Sequence, residues 1–418
     1  GMQDMFNNGK LSIIQNVGYP EANRSHFRSM DIWTTGALDI NQTSGWLGRY
    51  FDSTYPNFPA DYPNVNFPDP FAISMGSEVS STCQGLMGNF SHAVNDPFNT
   101  SNLLLTSVTN DGTYYGSHIE YISTLINQTN EYGTAISSSA NAGNSLSNLY
   151  DPLNPLAVQL KYIAQMISGG LKTKVYIVNI GGFDTHDSQV DQNSLADGSH
   201  ALLLEMISDA VAAFQNDLQL LGLEERVAGM TFSEFGRQIA SNGSYGTDHG
   251  DAAPIMLFGN CVNTGIIGPN PTIDNQINEQ AGVPMQIDFR NVYASILRDW
   301  FEVPEPSIQS LFEQNITYLD VLSGCSVGLA EQEAQKQKPL AYPNPTPSNT
   351  TLRFQSKGEH YQIFIVDQLG KAIAQAFDGQ LSTGKQELAM ETSKLPAGHY
   401  YFLITSTNMR ELVAFQKV

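Results

Sequence analysis

Residues 174–186 read Lys-Val-Tyr-Ile-Val-Asn-Ile-Gly-Gly-Phe-Asp-Thr-His, and this stretch decides how the rest of the chain is expected to fold. Four of its first seven residues are β-branched and five are apolar, which is the pattern of a strand buried on both faces. Two glycines follow, and they let the backbone turn sharply. Asp184 and His186 come next. Because residues two apart in an extended segment point the same way, we expect both side chains to face one point.

Two further apolar runs have a similar relation to polar residues. Val227–Phe232 is followed by Ser233-Glu234, and Pro254–Phe258 comes shortly after Asp248-His249-Gly250. Apolar spacing predicts further strands over 11–17 and 72–75 and helices over 116–129, 155–168, 200–222 and 290–302. This order predicts an α/β domain with a mostly parallel sheet flanked by helices. In such sheets ligands collect at the carboxyl ends of the strands.

The side chains around these strand ends are of the kinds that hold a divalent ion such as Zn²⁺. The predicted metal ligands are Asp184, His186, Glu234, Asp248 and His249. Each acid also has a structural alternative: Asp184 caps a turn, Glu234 pairs with Arg237, and Asp248 forms an Asx turn. Since three separate segments each offer an acid or a histidine, the set as a whole favours a metal site.

Ser25 and His26 are the candidate catalytic residues. They follow Pro20 and a polar turn, where a helix is expected to start. A serine at a helix N-terminus lies beside exposed backbone N–H donors that suit an anion, and a metal could activate its hydroxyl as a nucleophile. The alternatives are that Ser25 is an ordinary N-cap and that His26 is a metal ligand or a packing residue.

Composition narrows the class of protein. The 418 residues carry 41 acidic and 20 basic side chains, a formal net charge of -21. A nucleic-acid partner is therefore not expected, because such proteins carry a basic surface. No run of 18 apolar residues predicts a transmembrane helix. The three cysteines, Cys83, Cys261 and Cys325, fit no zinc or redox motif, so structural roles are expected; a Cys261–Cys325 bridge is one option.

The composition changes near residue 329, which predicts two domains. Residues 1–328 form the α/β domain, and the polar residues 329–340 read as a linker. Residues 341–418 contain short strands and turns, among them a hairpin signal at residues 367–371, and predict a small all-β, immunoglobulin-like sandwich.

Residues 10–325 resemble the domain of unknown function 1501 family, which is related to the alkaline phosphatase and sulfatase superfamily. The resemblance is carried by Asn-Ile-Gly-Gly-Phe-Asp-Thr-His (179–186), Thr-Phe-Ser-Glu-Phe-Gly-Arg (231–237), Asn-Gly-Ser-Tyr-Gly-Thr-Asp-His-Gly (242–250) and a Ser-His-Phe to Gly-Trp-Leu-Gly-Arg-Tyr segment (25–50). It implies an alkaline-phosphatase-like sheet, one or two divalent metals, and hydrolysis or transfer of phosphate or sulfate esters.

The chain departs from that pattern at two places. Glu234-Phe235 stands where the superfamily has Asp-His, which implies a single metal or a different ion. The family also opens with a strand ending in Gly-Gly-x-Asp-Gly, whose acid is a metal ligand, and this sequence has no such segment. Since Gly1 resembles the scar of a removed tag, we expect that the natural N-terminal strand has been removed.

The tail is similar to the C-terminal sorting domain of the type IX (Por) secretion system. The similarity rests on Ala-Tyr-Pro-Asn-Pro-Thr (341–346), Ile-Val-Asp-Gln-Leu-Gly-Lys (365–371) and Leu-Pro-Ala-Gly-His-Tyr-Tyr (395–401). It implies a protein of the Bacteroidetes type that the type IX machinery exports and that is released or held at the cell surface.

Two functions follow from these patterns. The first is a secreted, metal-dependent hydrolase of phosphate or sulfate esters, with a small-molecule or polymer ester as substrate. The second is a catalytically degenerate surface protein that uses the same scaffold for binding or adhesion, because a fold does not fix a chemistry.

Overall fold

The computed structural model describes residues 1–55, 57–100, 103–104, 112–273, 276–312, 314–325, 339–342, 344, 346–367, 371–407 and 409–417. The chain divides into two compact units, Gly1–Ser326 and Val327–Val418. Residues 329–338 of the predicted linker and residues 368–370 of the predicted hairpin turn lie outside the described residues.

The N-terminal unit alternates helices with short strands. Its helices are α1 (Met2–Asn7), α2 (His26–Thr35), α3 (Trp46–Thr54), α4 (Tyr114–Ala142), α5 (Pro155–Ser168), α6 (Ser199–Leu220), α7 (Phe289–Asp299) and α8 (Glu305–Phe312). Its strands are β1 (Leu11–Gly18), β2 (Ala72–Met75), β3 (Ser91–Val94), β4 (Val175–Ile177), β5 (Gly229–Met230), β6 (Ala253–Phe258), β7 (Gly265–Ile267) and β8 (Ile287–Asp288). All of the strands and helices predicted above are present, most with shifted ends.

Local sequence explains several helix ends. The Asn154 side chain accepts hydrogen bonds from the first backbone N–H groups of α5, and Pro155 occupies the first helical position, where its missing N–H costs nothing. At the end of α2, Gly36 adopts a left-handed conformation (φ 66°) that glycine accepts without strain. Helix α2 is thereby held to ten residues, and it begins at His26.

The strands form two sheets, which corrects the expectation of one mostly parallel sheet. Strands β3, β2 and β4 make a parallel three-stranded sheet, whereas the five-stranded sheet, in the order β5-β6-β1-β7 with β8 also on β1, is mixed. Strand β6 runs antiparallel to both β1 and β5. No helix lies between β5 and β6 in residues 231–252, and a parallel pair would need a crossover of that kind.

Strand β4 also differs from the buried strand that residues 174–180 predict. It is ordered as a strand only over Val175–Ile177, and all three residues are partly exposed. The reason is its position: β4 pairs with β2 on one side and is the outer strand of its sheet, just as β5 is the outer strand of the other. Each has one edge without a strand partner among the described residues.

One hydrophobic core joins the helices to both sheets. It contains Leu11 of β1, Ile73 of β2, Leu160 of α5 and Phe214 of α6, all buried. Residues that follow β4 and precede β5, such as Val178 and Val227, pack against its margin. The core therefore holds the carboxyl end of β4 and the start of β5 in place, and the polar segment that follows β4 starts from a fixed point.

The C-terminal unit is built from β9 (Leu340–Tyr342), β10 (Asn349–Lys357), β11 (His360–Val366), β12 (Ala372–Gln380), β13 (Thr383–Glu391), β14 (Gly398–Thr405) and β15 (Arg410–Lys417). Two antiparallel sheets, β13-β10-β9 and β12-β11-β14-β15, contribute to one core that includes Phe354, Ile363, Phe402 and Phe415. This arrangement is the all-β architecture that the sequence predicts.

Two further features concern the cysteines and the helices. Cys261 and Cys325 form a disulfide, the option that the sequence left open, and Cys83 is a buried free thiol. Among the described residues, none of the helices has the length and apolar character needed to cross a membrane.

Candidate metal centre

Three segments of the N-terminal unit meet at the candidate site. The first follows β4, where Gly182 adopts a positive φ of 99° before Asp184 and His186. The second is the long connection between β5 and β6, which carries Glu234 at its beginning and residues 246–250 near its end. The third is the start of α2, which supplies His26.

His26, His186 and His249, here called the imidazole cluster, surround the carboxylate of Asp184. The Nε2 atoms of His249 and His186 lie 2.9 and 3.0 Å from Asp184 Oδ1, and that of His26 lies 3.3 Å from Oδ2. Ligand atoms of His26, Asp184 and His249 all fall within 4.8 Å of one another. His186 adjoins them, because its Nε2 is 2.9 Å from Nε2 of His249. At that distance only one nitrogen carries a hydrogen, so the other presents a lone pair.

The second nitrogen of every ring in the imidazole cluster has a partner. Nδ1 of His26 lies 2.7 Å from Glu234 Oε1, and Nδ1 of His186 lies 2.7 Å from Asp248 Oδ1. Nδ1 of His249 lies 2.8 Å from the carbonyl oxygen of Arg24. Carboxylate and carbonyl oxygens only accept hydrogen bonds, so each Nδ1 carries a proton. Nε2 of each ring is therefore the atom that would bind a cation, in place of the contact that it makes here with Asp184.

Arg237 is the cationic group in contact with this carboxylate. Its Nη1 donates to Asp184 Oδ1 at 2.8 Å, and its Nε and Nη2 donate to the hydroxyl and carbonyl of Thr247. Partial burial works to raise the pKa of Asp184, but the hydrogen bonds from Arg237 and His249 outweigh it and lower that pKa to about 2. Asp184 is therefore ionised at neutral pH.

The pKa values of His26 and Asp248, which flank Asp184, are shifted by their hydrogen-bond partners. The hydrogen bond to Glu234 raises the pKa of His26 above its ordinary value, despite some desolvation. The hydrogen bond from His186, with help from Asn242, lowers the pKa of the exposed Asp248. Two carboxylates thus stand behind two of the imidazoles and increase the attraction of those rings for positive charge.

A buried hydrogen-bond network of Thr185, Thr247 and Gln189 lies next to the imidazole cluster. The hydroxyls of Thr185 and Thr247, both nearly inaccessible to solvent, donate to the same side-chain oxygen of Gln189. The N–H of Thr247 donates to the carbonyl of Thr185 at 3.2 Å. Through Arg237, which is bonded to Thr247, this network ties the Asp184 segment to the His249 segment.

The two segments also approach each other closely at glycine. A Cβ atom placed on Gly246 would lie 2.2 Å from the carbonyl oxygen of His186. Within the connection between β5 and β6, a Cβ on Gly250 would lie 2.3 Å from the carbonyl of Arg237. Only residues without a side chain fit at these two positions, which explains both glycines of the Gly-Thr-Asp-His-Gly motif.

Ser25 lies beside the cluster as the N-cap of α2. Its backbone N–H donates to Asn23 Oδ1 at 2.8 Å, and its exposed hydroxyl has no partner within the described part of the chain. Beneath the rings, Phe235 packs against both His26 and His249, at centroid distances of 4.9 and 4.6 Å. An apolar floor and an exposed hydroxyl therefore border the imidazoles.

The structure brings all seven residues singled out in the sequence into this one region, in three kinds of position. Ser25 is the N-cap of α2. Asp184, His186, His249 and His26 form the centre, whereas Glu234 and Asp248 bond the outer ring nitrogens. The predicted alternative for Glu234, a pair with Arg237, is not formed, because Arg237 bonds Asp184. Sequence reasoning missed the Arg24 carbonyl and the Gln189 network; neither has a local signal, since both act only through tertiary contact.

The geometry defines a class: an α/β unit with a cluster of histidine and aspartate side chains that could hold a metal ion, followed by a separate all-β unit. Residues 11–312 match the family model described as protein of unknown function (DUF1501), and the chain belongs to that family. Residues 340–415 match the secretion system C-terminal sorting domain. This domain marks the protein for type IX secretion, for interaction with that machinery, and for a location outside the cell or at its surface. No curated protein matches the chain.

Proposed function

We propose that the N-terminal unit is a metal-dependent hydrolase of phosphate or sulfate esters that acts outside the cell. One observation carries this proposal: three imidazoles have their Nδ1 atoms bonded to acceptors, while their Nε2 atoms converge on the Asp184 carboxylate. Three imidazole nitrogens and a carboxylate oxygen are a donor set that Zn²⁺ accepts readily. The chemistry of the residues therefore fits a divalent ion.

In this proposal His26, Asp184 and His249 hold the ion, with His186 beside them. Glu234 and Asp248, which the sequence suggested as ligands, orient His26 and His186 and keep the proton on Nδ1. A bound ion would polarise an ester oxygen and lower the pKa of a nearby hydroxyl or water. Ser25 offers that hydroxyl at the N-terminus of α2, where backbone N–H groups favour an anionic group.

The test is to measure zinc binding by calorimetry, and turnover of aryl phosphates and aryl sulfates, on the full chain. A His249→Ala, Glu234→Ala double variant should lose both, because it removes one ligand and the partner of another. The control is His118→Ala, since His118 is an exposed residue of α4 that bonds to the Tyr114 carbonyl and packs against the Tyr114 ring. Unchanged turnover in the double variant would sink the proposal.

A second candidate, a surface binding or adhesion protein on the same scaffold, is favoured by the bond between Arg237 and Asp184. The guanidinium lies 2.8 Å from the carboxylate that would otherwise be the most negative ligand. An internal cation at this position neutralises part of the site without any ion. Zinc affinity in the millimolar range, together with no turnover, would favour this candidate over the hydrolase.

A further inference from the structure

We propose that the centre selects esters that carry one negative charge, such as sulfate monoesters or phosphodiesters, over phosphate monoesters, which carry two. The inference rests on the proposed function, because it assumes one divalent ion at the imidazole cluster. It concerns the charge of the ligand rather than its hydrolysis. Binding alone can therefore test it.

The first step is the charge of the groups that bond to the cluster or to Asp184. Asp184, Glu234 and Asp248 contribute three negative charges, and Arg237 contributes one positive charge. Two negative charges remain, so one divalent ion makes the centre neutral. A second divalent ion would leave a positive site, but no further carboxylate among the described residues bonds to the cluster to hold it.

The second step is that Arg237 uses only some of its N–H groups in the hydrogen bonds described above. A guanidinium has five N–H groups, and three of them are used by Asp184 and by the two oxygens of Thr247. The other two N–H groups have no acceptor among the described residues, and the side chain keeps 15% of its surface exposed. An anionic oxygen can use these donors, which favours a charged ester over a neutral one.

The third step is that the two arginines at the start of α2 already have acceptors among the described residues. Arg24, which precedes Ser25 and His26, forms a two-pronged ion pair with Asp251 at 2.9 Å for each bond. Arg28 directs its guanidinium to the carbonyl of Leu38. The chain as a whole has a net charge of -21. A dianion would thus bring two charges to a neutral centre in a negative field, whereas a monoanion brings one.

The binding test uses zinc-loaded protein at pH 8 with three probes: methyl sulfate, dimethyl phosphate and phenylphosphonate. The first two are monoanions and the third is a dianion. We expect both monoanions to bind at least tenfold more tightly than the dianion. Tighter binding of phenylphosphonate, or no binding of any probe, would overturn the inference.

Two variants sharpen the test. Asp248→Asn keeps an acceptor for His186 but removes one charge, so it should shift the preference towards the dianion by about threefold, for charges about 7 Å apart in water. Arg237→Gln should weaken both monoanions. Arg353→Gln, in the C-terminal unit, removes a guanidinium bonded to Glu387 and should change neither result. A preference that is the same in Asp248→Asn as in the unaltered protein would count against the charge argument.

Turnover assays distinguish a sulfatase from a phosphodiesterase. They also distinguish a failure of the proposed hydrolase from a failure of the charge selection. Nitrophenyl sulfate reports a sulfatase, and bis-nitrophenyl phosphate reports a phosphodiesterase. If the monoanions bind preferentially but neither compound is hydrolysed, the proposed hydrolase fails while the charge selection holds. If nitrophenyl phosphate is hydrolysed and phenylphosphonate binds more tightly than the monoanions, the hydrolase holds and the charge selection fails.

Discussion

Asp184 is the residue at which the charges of the centre meet. One of its oxygens accepts hydrogen bonds from Arg237 and His249 and lies 3.0 Å from His186, while the other faces His26. This number of positive or proton-donating neighbours explains the low pKa of the carboxyl group. A substitution of Asp184 therefore alters the contacts of all three imidazoles.

The first prediction concerns acid stability of the metal-free protein. Because folding lowers the pKa of Asp184 to about 2, its ionised form is stabilised in the folded state. That contribution is complete above the unfolded pKa of about 3.9 and is lost as the pH falls towards 2. Asp184→Asn should therefore flatten the acid limb of the free energy of unfolding by about 1 kcal/mol, after allowance for the exposure of the site to solvent. Urea melts between pH 5 and pH 2 provide the check, and parallel curves for the two proteins would contradict it.

The second prediction concerns Glu234, which acts through His26. Glu234→Leu removes the acceptor that keeps the proton on Nδ1, so Nε2 of His26 is no longer fixed as the free nitrogen. Zinc affinity measured by calorimetry should fall by about 10- to 100-fold. Glu225→Leu, an exposed change in the short helical turn before β5, provides the matched control. If the two variants bind zinc equally, the orienting role of Glu234 is wrong.

At the scale of elements, the centre depends on how closely the loop before β6 approaches the segment after β4. Gly246→Ala places a methyl group against the carbonyl of His186 and forces the two segments apart. We expect zinc affinity to fall at least tenfold, because ligands on both segments must reach one ion. Gly243→Ala lies in the same loop with open space around its Cβ, and it should leave the affinity unchanged.

The positions of the helices and strands could be predicted from the sequence, whereas the strand directions could not. Apolar spacing located α5, α6 and β1 because those patterns report burial on one face of a local segment. It did not reveal that β6 would run antiparallel to β1, since strand direction depends on the connection and not on the strand. The candidate site residues are predicted for a similar local reason, since most of them adjoin apolar runs, and their role in metal binding stays a prediction. The division between central groups and outer groups, such as Asp184 and Glu234, depends on which ring nitrogen each contacts, and that is set by tertiary packing.

For the whole molecule, the division into two units separates the sorting domain from the unit that carries the imidazole cluster. Deletion of residues 340–418 should leave the protein inside the producing cell, because the sorting domain is the signal that the type IX machinery reads. A reporter protein that carries residues 327–418 should instead be exported. Fractionation of culture medium, cell surface and cell interior tests both expectations, and export of the shortened protein would contradict them.

The disulfide is the second feature at this scale. It closes a loop with a sequence separation of 64 residues, so its loss should lower the free energy of unfolding of the N-terminal unit by about 4 kcal/mol in the chain-entropy view. A Cys261→Ser, Cys325→Ser variant should melt at a lower temperature than the oxidised protein. Cys83→Ala, which leaves the bridge intact, is the matched control for removal of a thiol. Equal melting temperatures for the oxidised protein and the double variant would contradict the expectation.

The position of that bridge has a mechanical consequence. Cys325 lies where the chain leaves the N-terminal unit, and Cys261 lies just beyond β6. A tensile force applied through a tail held at the cell surface reaches Cys325 and then passes through a covalent bond into the loop after β6. The intervening chain, with a contour length of roughly 200 Å, cannot be pulled out while the bridge is intact. Shear on the cell surface would have to break the sheet at β6 before it could unravel the protein from this end.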